Sequence, residues 1–324
     1  MNLIGRLSQE QIVFGLAVLL CLAFTIFVPG FLTTNNLVIL VRSVSILGIL
    51  GVAMGIVVIG RGIDLSLVAV MAISVAWSLQ LVSGGMPLAQ ALIFGLAFSI
   101  LIGVINGVFI AYVEVPAIFA TLAMGTAIYG FGRYFLFDLD VIYFTSDADS
   151  LLWLGEGTVL GLPAPIIMFI GVCIAAHLFL KFTKNGSFLR AVGDNAAAAR
   201  ITGVPVRPII ILQYMISASI GFLAGCVTAA SVASMNTRVA HSTFVYDVIL
   251  VVVLGGIGLS GGRGGVRNVV VGTLLIGVLI NGMTILNIQY TVQNVIKGVI
   301  LLLAIVIDTL LNPRDEQTAQ QGDI

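Results

Sequence analysis

The sequence predicts an all-α, polytopic membrane protein of about ten transmembrane helices, some of them short or broken. Three observations carry that prediction. Hydrophobic residues make up 60% of the chain and charged residues 9%, against roughly 45–50% and about 25% in soluble domains. The apolar residues fall in successive runs, each close to the roughly 20 that a span requires. Basic residues concentrate in one polar segment, with five of the fourteen Lys and Arg between Lys181 and Arg207. The 37 glycines fit a bundle whose helix backbones approach closely. A formal net charge of zero excludes a global basic field for nucleic acid.

In chain order, Arg6 ahead of the apolar run Ile12 to Val28 resembles a signal peptide. The run lacks a small-x-small cleavage site and many more follow, so it is read as a first retained span. The ten predicted spans are 12–28, 37–60, 65–82, 88–112, 116–137, 164–180, 208–232, 245–259, 268–286 and 295–311. An even number puts both termini on one side. Placing them in the cytoplasm assigns ten basic residues to inner segments (Arg6, Arg61, the five of the central segment, Arg263, Arg267, Arg314) and only Arg238 to an outer loop. Arg42, Arg133 and Lys297 remain inside spans near their outer ends, where long side chains reach the headgroups. Segment 138–163 carries Asp138, Asp140, Asp147, Asp149 and Glu156 with no Lys or Arg, and is expected outside as a small cap with a short helix.

Two glycine-rich breaks interrupt the apolar pattern, GRGIDLS at 60–66 and GGIGLSGGRGG at 255–265. Irregular backbone at membrane depth must be satisfied by protein or by a water-filled cavity. Each break is therefore either the lining of a pathway, a protein contact or a tight turn at the inner face. GIDLS and GIGLS echo each other, as do GVING at 103–107 and GVLING at 277–282, which suggests an old internal duplication.

The central segment, KFTKNGSFLRAVGDNAAAARITGVPVR, is expected in the cytoplasm. Asp194 or Asn195 can cap a helix, Ala196, Ala197, Ala198 and Ala199 form its body, and Gly203 with Pro205 ends it. About two turns of helix do not persist alone. Small side chains held between two spans suit the groove of a cytoplasmic partner; an ordinary solvated connector is the competing reading.

No catalytic chemistry emerges. Gly256-x-Gly258-x-x-Gly261 matches a dinucleotide fingerprint formally, but no acid lies between Asp247 and Asp308 to hold a ribose. No phosphate-loop motif occurs, His177 and His241 stand alone, and Cys21, Cys173 and Cys226 lack metal-ligand spacing. Neither a catalytic nor a metal site is expected. Polar residues within or beside apolar runs are the candidates for a pathway or its gating: Asp64, Ser66, Asn106, Asp247 and Asn281. A charge at the centre of a span costs about 2.5–3.5 kcal/mol on the insertion scale. For Asp64 the local alternative is capping of the following helix, and for Asn106 and Asn281 it is bonding between helices.

Four blocks together support a family resemblance: GIDLS at 62–66, GVINGVFIAYVEVPAIFATLAM at 103–124, NGSFLRAVGDNAAAARITGVPV at 185–206, and DVILVVVLGGIGLSGGRGGVRNVVVGTLLIGVLINGMTIL at 247–286. In their order and spacing the sequence resembles the permease subunits of ribose-type bacterial ABC sugar importers, over nearly the whole chain. It departs from that pattern at Val68, where a glycine is usual, and at Val245, Leu250 and Val251, where an acid and alanines are usual.

The resemblance implies one transmembrane permease domain over 1–324 in the bacterial inner membrane. It makes 181–207 the coupling segment, with Asp194 to Arg200 docking on a separate ATPase that carries the ATP and Mg; no cofactor is bound by this chain. It further implies a second permease subunit, either a second copy or a relative, a periplasmic solute-binding protein, and alternating access for a monosaccharide or similar polar solute. Related permeases carry nucleosides or sugar-like signalling molecules. An ion-coupled secondary transporter using Asp64 and Asp247, and a membrane scaffold or receptor, are the alternatives of other classes.

Overall fold

The computed structural model describes residues 9–311, with side chains from residue 10 to residue 306. Arg6, Arg314 and the placement of the two termini lie outside the described residues. The chain forms twelve helices among these residues: α1 (Gln9–Phe27), α2 (Thr34–Ile59), α3 (Leu67–Ser83), α4 (Leu88–Ala111), α5 (Ala117–Phe131), α6 (Trp153–Glu156), α7 (Ala164–Phe182), α8 (Lys184–Ile201), α9 (Val206–Val232), α10 (Phe244–Leu254), α11 (Val266–Ile285) and α12 (Tyr290–Leu311). Each of the ten predicted spans overlaps one of them, the additional two being α6 and α8. Six (α1, α2, α4, α7, α9 and α11) are long and apolar enough to cross a membrane, and α3, α10 and the described part of α12 are shorter apolar helices.

Burial follows composition. Helix α2 is buried on every side from Leu47 to Ile59, and α3 over most of its length. A helix that is apolar all round belongs in the interior. Helices α1, α4, α5 and α7 instead expose large side chains such as Leu19, Phe27, Ile93, Phe119 and Ile174, as a lipid-facing layer does. Small residues set the close approaches. A Cβ on Gly103 would lie 2.6 Å from the Tyr214 carbonyl oxygen, and one on Gly107 would meet the Ile211 backbone, so α4 lies directly on α9. Of the departures from the family pattern, Val68, Leu250 and Val251 are buried core residues and Val245 is half-buried.

At one end of the bundle lies segment 138–163, with a 3-10 turn (Ser146–Leu152), α6 and a hairpin of β2 (Thr158–Val159) and β3 (Leu162–Pro163). Its strand β1 (Val141–Tyr143) pairs antiparallel with β4 (Ser234–Asn236), Ile142 facing Met235. Arg238 hydrogen-bonds Asp140, and Arg133 approaches the same carboxylate at 3.1 Å. The bond from Arg238, then the charge of Arg133, holds the Asp140 carboxyl below its ordinary range. The one basic residue expected in an outer loop is thus spent on Asp140, while Asp138, Asp147, Asp149 and Glu156 stay exposed.

Two expectations are corrected. The eighth span does not run to residue 259: α10 ends at Leu254 and glycines take over, Gly256, Gly261, Gly262 and Gly264 all with positive φ. Its 11 residues cover about 16 Å, well short of a bilayer core. The fifth span by contrast holds, since α5 passes at Gly132 into a π-helix that runs to Leu136. Lys297 does not reach toward headgroups but is buried against Asp247, while Arg133 turns to Asp138 and Asp140.

Candidate functional site

Segment 181–207 holds more helix than its alanines alone suggested. Helix α8 starts at Lys184, where Thr183 Oγ1 accepts the Gly186 amide at 3.0 Å, and it bends at Asn195 (φ −155, ψ 103). The upstream limb was hidden in the sequence by Gly186 and Gly193, poor helix formers in a polar stretch. Those glycines, with Leu189 and Val192, form its buried face.

The downstream limb matches the predicted short helix. Of the two candidate caps the structure uses Asn195, whose Oδ1 accepts the Ala198 amide at 3.0 Å. The stop is a paired C-terminal closure: Val204 donates to the Ala199 carbonyl at 3.0 Å and Gly203 to that of Arg200 at 3.1 Å, with Gly203 at φ +85. Ala199 is buried and Ala196 half-buried, whereas Asp194, Ala197, Ala198 and Arg200 are exposed and Ile201 is 88% exposed. A bare isoleucine beside two alanines is an apolar knob on a polar end of the molecule.

The upstream limb joins this knob to both glycine-rich breaks. The Gly262 amide donates to the Ile59 carbonyl at 2.8 Å, tying the second break to the end of α2. Gly193 lies on that bond, so that a Cβ there would fall on the Ile59 oxygen and 2.7 Å from the Gly262 nitrogen. Arg190 donates to the Gly264 carbonyl at 2.9 Å, and Asn268 closes the end of α10 by donating to Gly255 at 2.8 Å. Of the readings open for the breaks, both make protein contacts at the end of the bundle that carries α8.

Asp64 anchors the first break. Its Oδ1 accepts from the Ser66 amide at 3.1 Å and the Ser66 hydroxyl at 2.6 Å, and its Oδ2 from Ser217 of α9 at 2.8 Å. Asn106 of α4 donates to Ser66 at 2.8 Å, and Thr121 of α5 accepts the Leu65 amide at 3.0 Å. One carboxylate thus gathers α3, α4 and α9 around irregular backbone, joining a local turn at the Ser66 amide ahead of α3 to a tie between helices. Asn281 exchanges reciprocal bonds with Asn36 of α2 at 3.0 and 2.9 Å, a side-chain link between helices.

Asp247 lies apart from these. It pairs with Lys297 of α12 at 2.8 Å, and both are buried. Thr243 bonds Tyr290 at 2.7 Å and Asn294 at 3.2 Å beside them. The structure therefore groups Asp64, Ser66 and Asn106, and separates them from Asp247 and Asn281. Residues that the sequence did not mark as part of a site are Ser217, Thr121, Arg190, Gly193 and Lys297. Only Lys297 carried a signal, since ionisable residues in spans pair with one another.

Broken and long helices around buried polar anchors, with a surface knob at one end and an acidic cap at the other, define a polytopic helical membrane protein. Comparison with known proteins names the family: residues 36–305 match the model for the branched-chain amino acid transport system / permease component, and the chain belongs to that family. It is 33% identical over 303 residues to the ribose import permease protein RbsC of Escherichia coli K12, covering 93% of this chain and 94% of the relative. It is 34% identical over 304 residues to the probable ABC transporter permease protein YphD (92% and 89%) and 31% identical over 318 residues to the L-arabinose transport system permease protein AraH (94% and 92%), both of the same strain. No solved structure matches. Within its family the chain falls among the ribose-type sugar permeases, and its role is transport rather than catalysis.

Proposed function

We propose that this chain is the membrane-spanning subunit of an ATP-driven importer carrying a monosaccharide by alternating access across a bacterial inner membrane. The observation that carries the reading is near-full-length similarity to relatives named for ribose import and L-arabinose transport. In this reading two permease subunits form the pathway, a cytoplasmic ATPase holds the ATP and Mg, and a periplasmic binding protein delivers solute at the acidic 138–163 end. ATP-driven closure of the ATPase pair pushes on Ala197, Ala198 and Ile201, and the limb 184–194 passes the movement to both glycine-rich breaks. The ion-coupled alternative finds little support, because Asp247 is held by Lys297 and Asp64 by three hydrogen bonds.

Ala198→Glu tests the coupling assignment. A charge buried without a partner in the ATPase groove costs about 3–5 kcal/mol, while the spans are untouched. The variant is expected to insert normally and to lose both co-purification of the ATPase and uptake. Arg200→Glu should weaken association in a salt-dependent way. Wild-type association and uptake in Ala198→Glu would leave 181–207 a solvated connector.

Orientation has its own check. With Cys21, Cys173 and Cys226 replaced, Ser150→Cys should react with an impermeant maleimide from outside, and Ala197→Cys only after permeabilisation. Labelling in the reverse order would invert the topology.

A further inference from the structure

The buried pair Asp247–Lys297 is not explained by stability. An ion pair taken out of water is on balance no better than well-packed apolar side chains of similar volume. The pair also lines a cavity of about 300 Å³, together with Thr243, Tyr246, Leu250 and Asn294. That volume is at the small end of the roughly 300–1,000 Å³ typical of small-molecule sites.

The cavity's chemistry is specific. Asp247 and Lys297 are 6% and 7% exposed, so both charges are fixed by protein rather than solvated. A carboxylate offers about four acceptor sites and an ammonium three donors, so the pair retains hydrogen-bonding capacity beyond its own contacts of 2.8 and 2.9 Å. Asn294 Oδ1 already accepts from Thr243, which leaves its amide NH2 for the cavity. Beside these lies the ring of Tyr246, 53% exposed. Adjacent donors and acceptors match hydroxyl groups, which donate and accept at once, and an aromatic face matches the C–H face of a sugar ring. The cluster lies in the N-terminal half of α10 and α12, toward the side where β4 pairs with β1 of the acidic segment and away from α8.

We propose that this α10–α12 cavity is a contact site for a polyhydroxylated solute, entered from the 138–163 end. The proposal rests on the sugar-import reading and adds to it the residues that meet the solute: Asp247, Lys297 and Asn294 through hydrogen bonds, Tyr246 by stacking. A lipid acyl chain, the competing occupant of a membrane-facing hollow, has no use for a buried ion pair.

The test is uptake of radiolabelled D-ribose, L-arabinose and D-galactose into proteoliposomes holding the full chain with its ATPase and binding protein. Asn294→Ala and Tyr246→Ala both leave the ion pair in place. Each is expected to insert with normal yield, to lower uptake about tenfold, equivalent to about 1.4 kcal/mol, and to change the ratio among the three sugars, which a purely structural defect would not do. The double variant Asp247→Leu with Lys297→Met supplies an apolar equivalent, and should keep the yield and lose uptake. Unchanged rates and ratios in the two single variants, or wild-type uptake in the double variant, would overturn the contact site and leave import standing. Absence of ATP-dependent uptake of any of the sugars by the wild type would overturn the import reading, and the contact site with it.

Discussion

Asp64→Ala should remove most of the folded protein from the membrane fraction. The carboxylate accepts three hydrogen bonds in a fully buried position, and bonds to a charged group contribute about 1.5–3 kcal/mol each. Losing them strands Ser66 and Ser217 in the interior and frees the backbone between α2 and α3, against a total stability of about 5–15 kcal/mol for an ordinary domain. Asp64→Asn retains the shape and one acceptor, so its yield should lie between those of Asp64→Ala and the wild type, while uptake per folded molecule changes less than yield. Size-exclusion profiles of detergent extracts beside uptake per purified molecule check this. A normal yield with abolished uptake would instead make Asp64 part of the pathway or its gate.

Gly193→Val should disconnect the coupling limb. Its new side chain would occupy the Ile59 and Gly262 backbones, which cannot rotate aside as a flexible side chain can. Overpacking of this kind costs about 1–3 kcal/mol, here concentrated on the hydrogen bond from Gly262 to Ile59 that ties the second break to α2. Insertion and ATPase association should survive, because the Ala197, Ala198 and Ile201 knob is untouched, while uptake falls by about tenfold or more. Gly171→Val is the control, since a Cβ at that lipid-facing position meets nothing within 4 Å. Uptake equal to wild type in Gly193→Val would show that the junction carries no movement.

The two predictions also mark where sequence reading succeeds and stops. Apolar runs located ten of the twelve helices because length and composition are local properties, and Asn195, the alanines and Gly203 announced the downstream limb through local capping chemistry. The breaks were visible as glycines, and Asp64 as an acid ahead of a helix. What joined them was not local. Gly193 reads as a helix breaker until the Ile59 and Gly262 backbones are brought onto it, and Ser217 acquires its role from a residue 153 positions away. The snorkelling expected of Lys297 follows from its place near a span end; only the fold sets Asp247 beside it. The short reach of α10 was masked because GGIGL adds apolar residues to the run without continuing the helix.

The central claim is that movement of solute through this chain is powered by ATP hydrolysed on a docked partner. The most direct measurement is uptake of D-ribose and L-arabinose into proteoliposomes in which the chain, the ATPase and the binding protein are included or omitted one at a time, with either internal ATP or an imposed proton gradient as the energy source. The account predicts uptake only when all three proteins and ATP are present, and no effect of collapsing the proton gradient. Proton-driven uptake by the chain alone would contradict it.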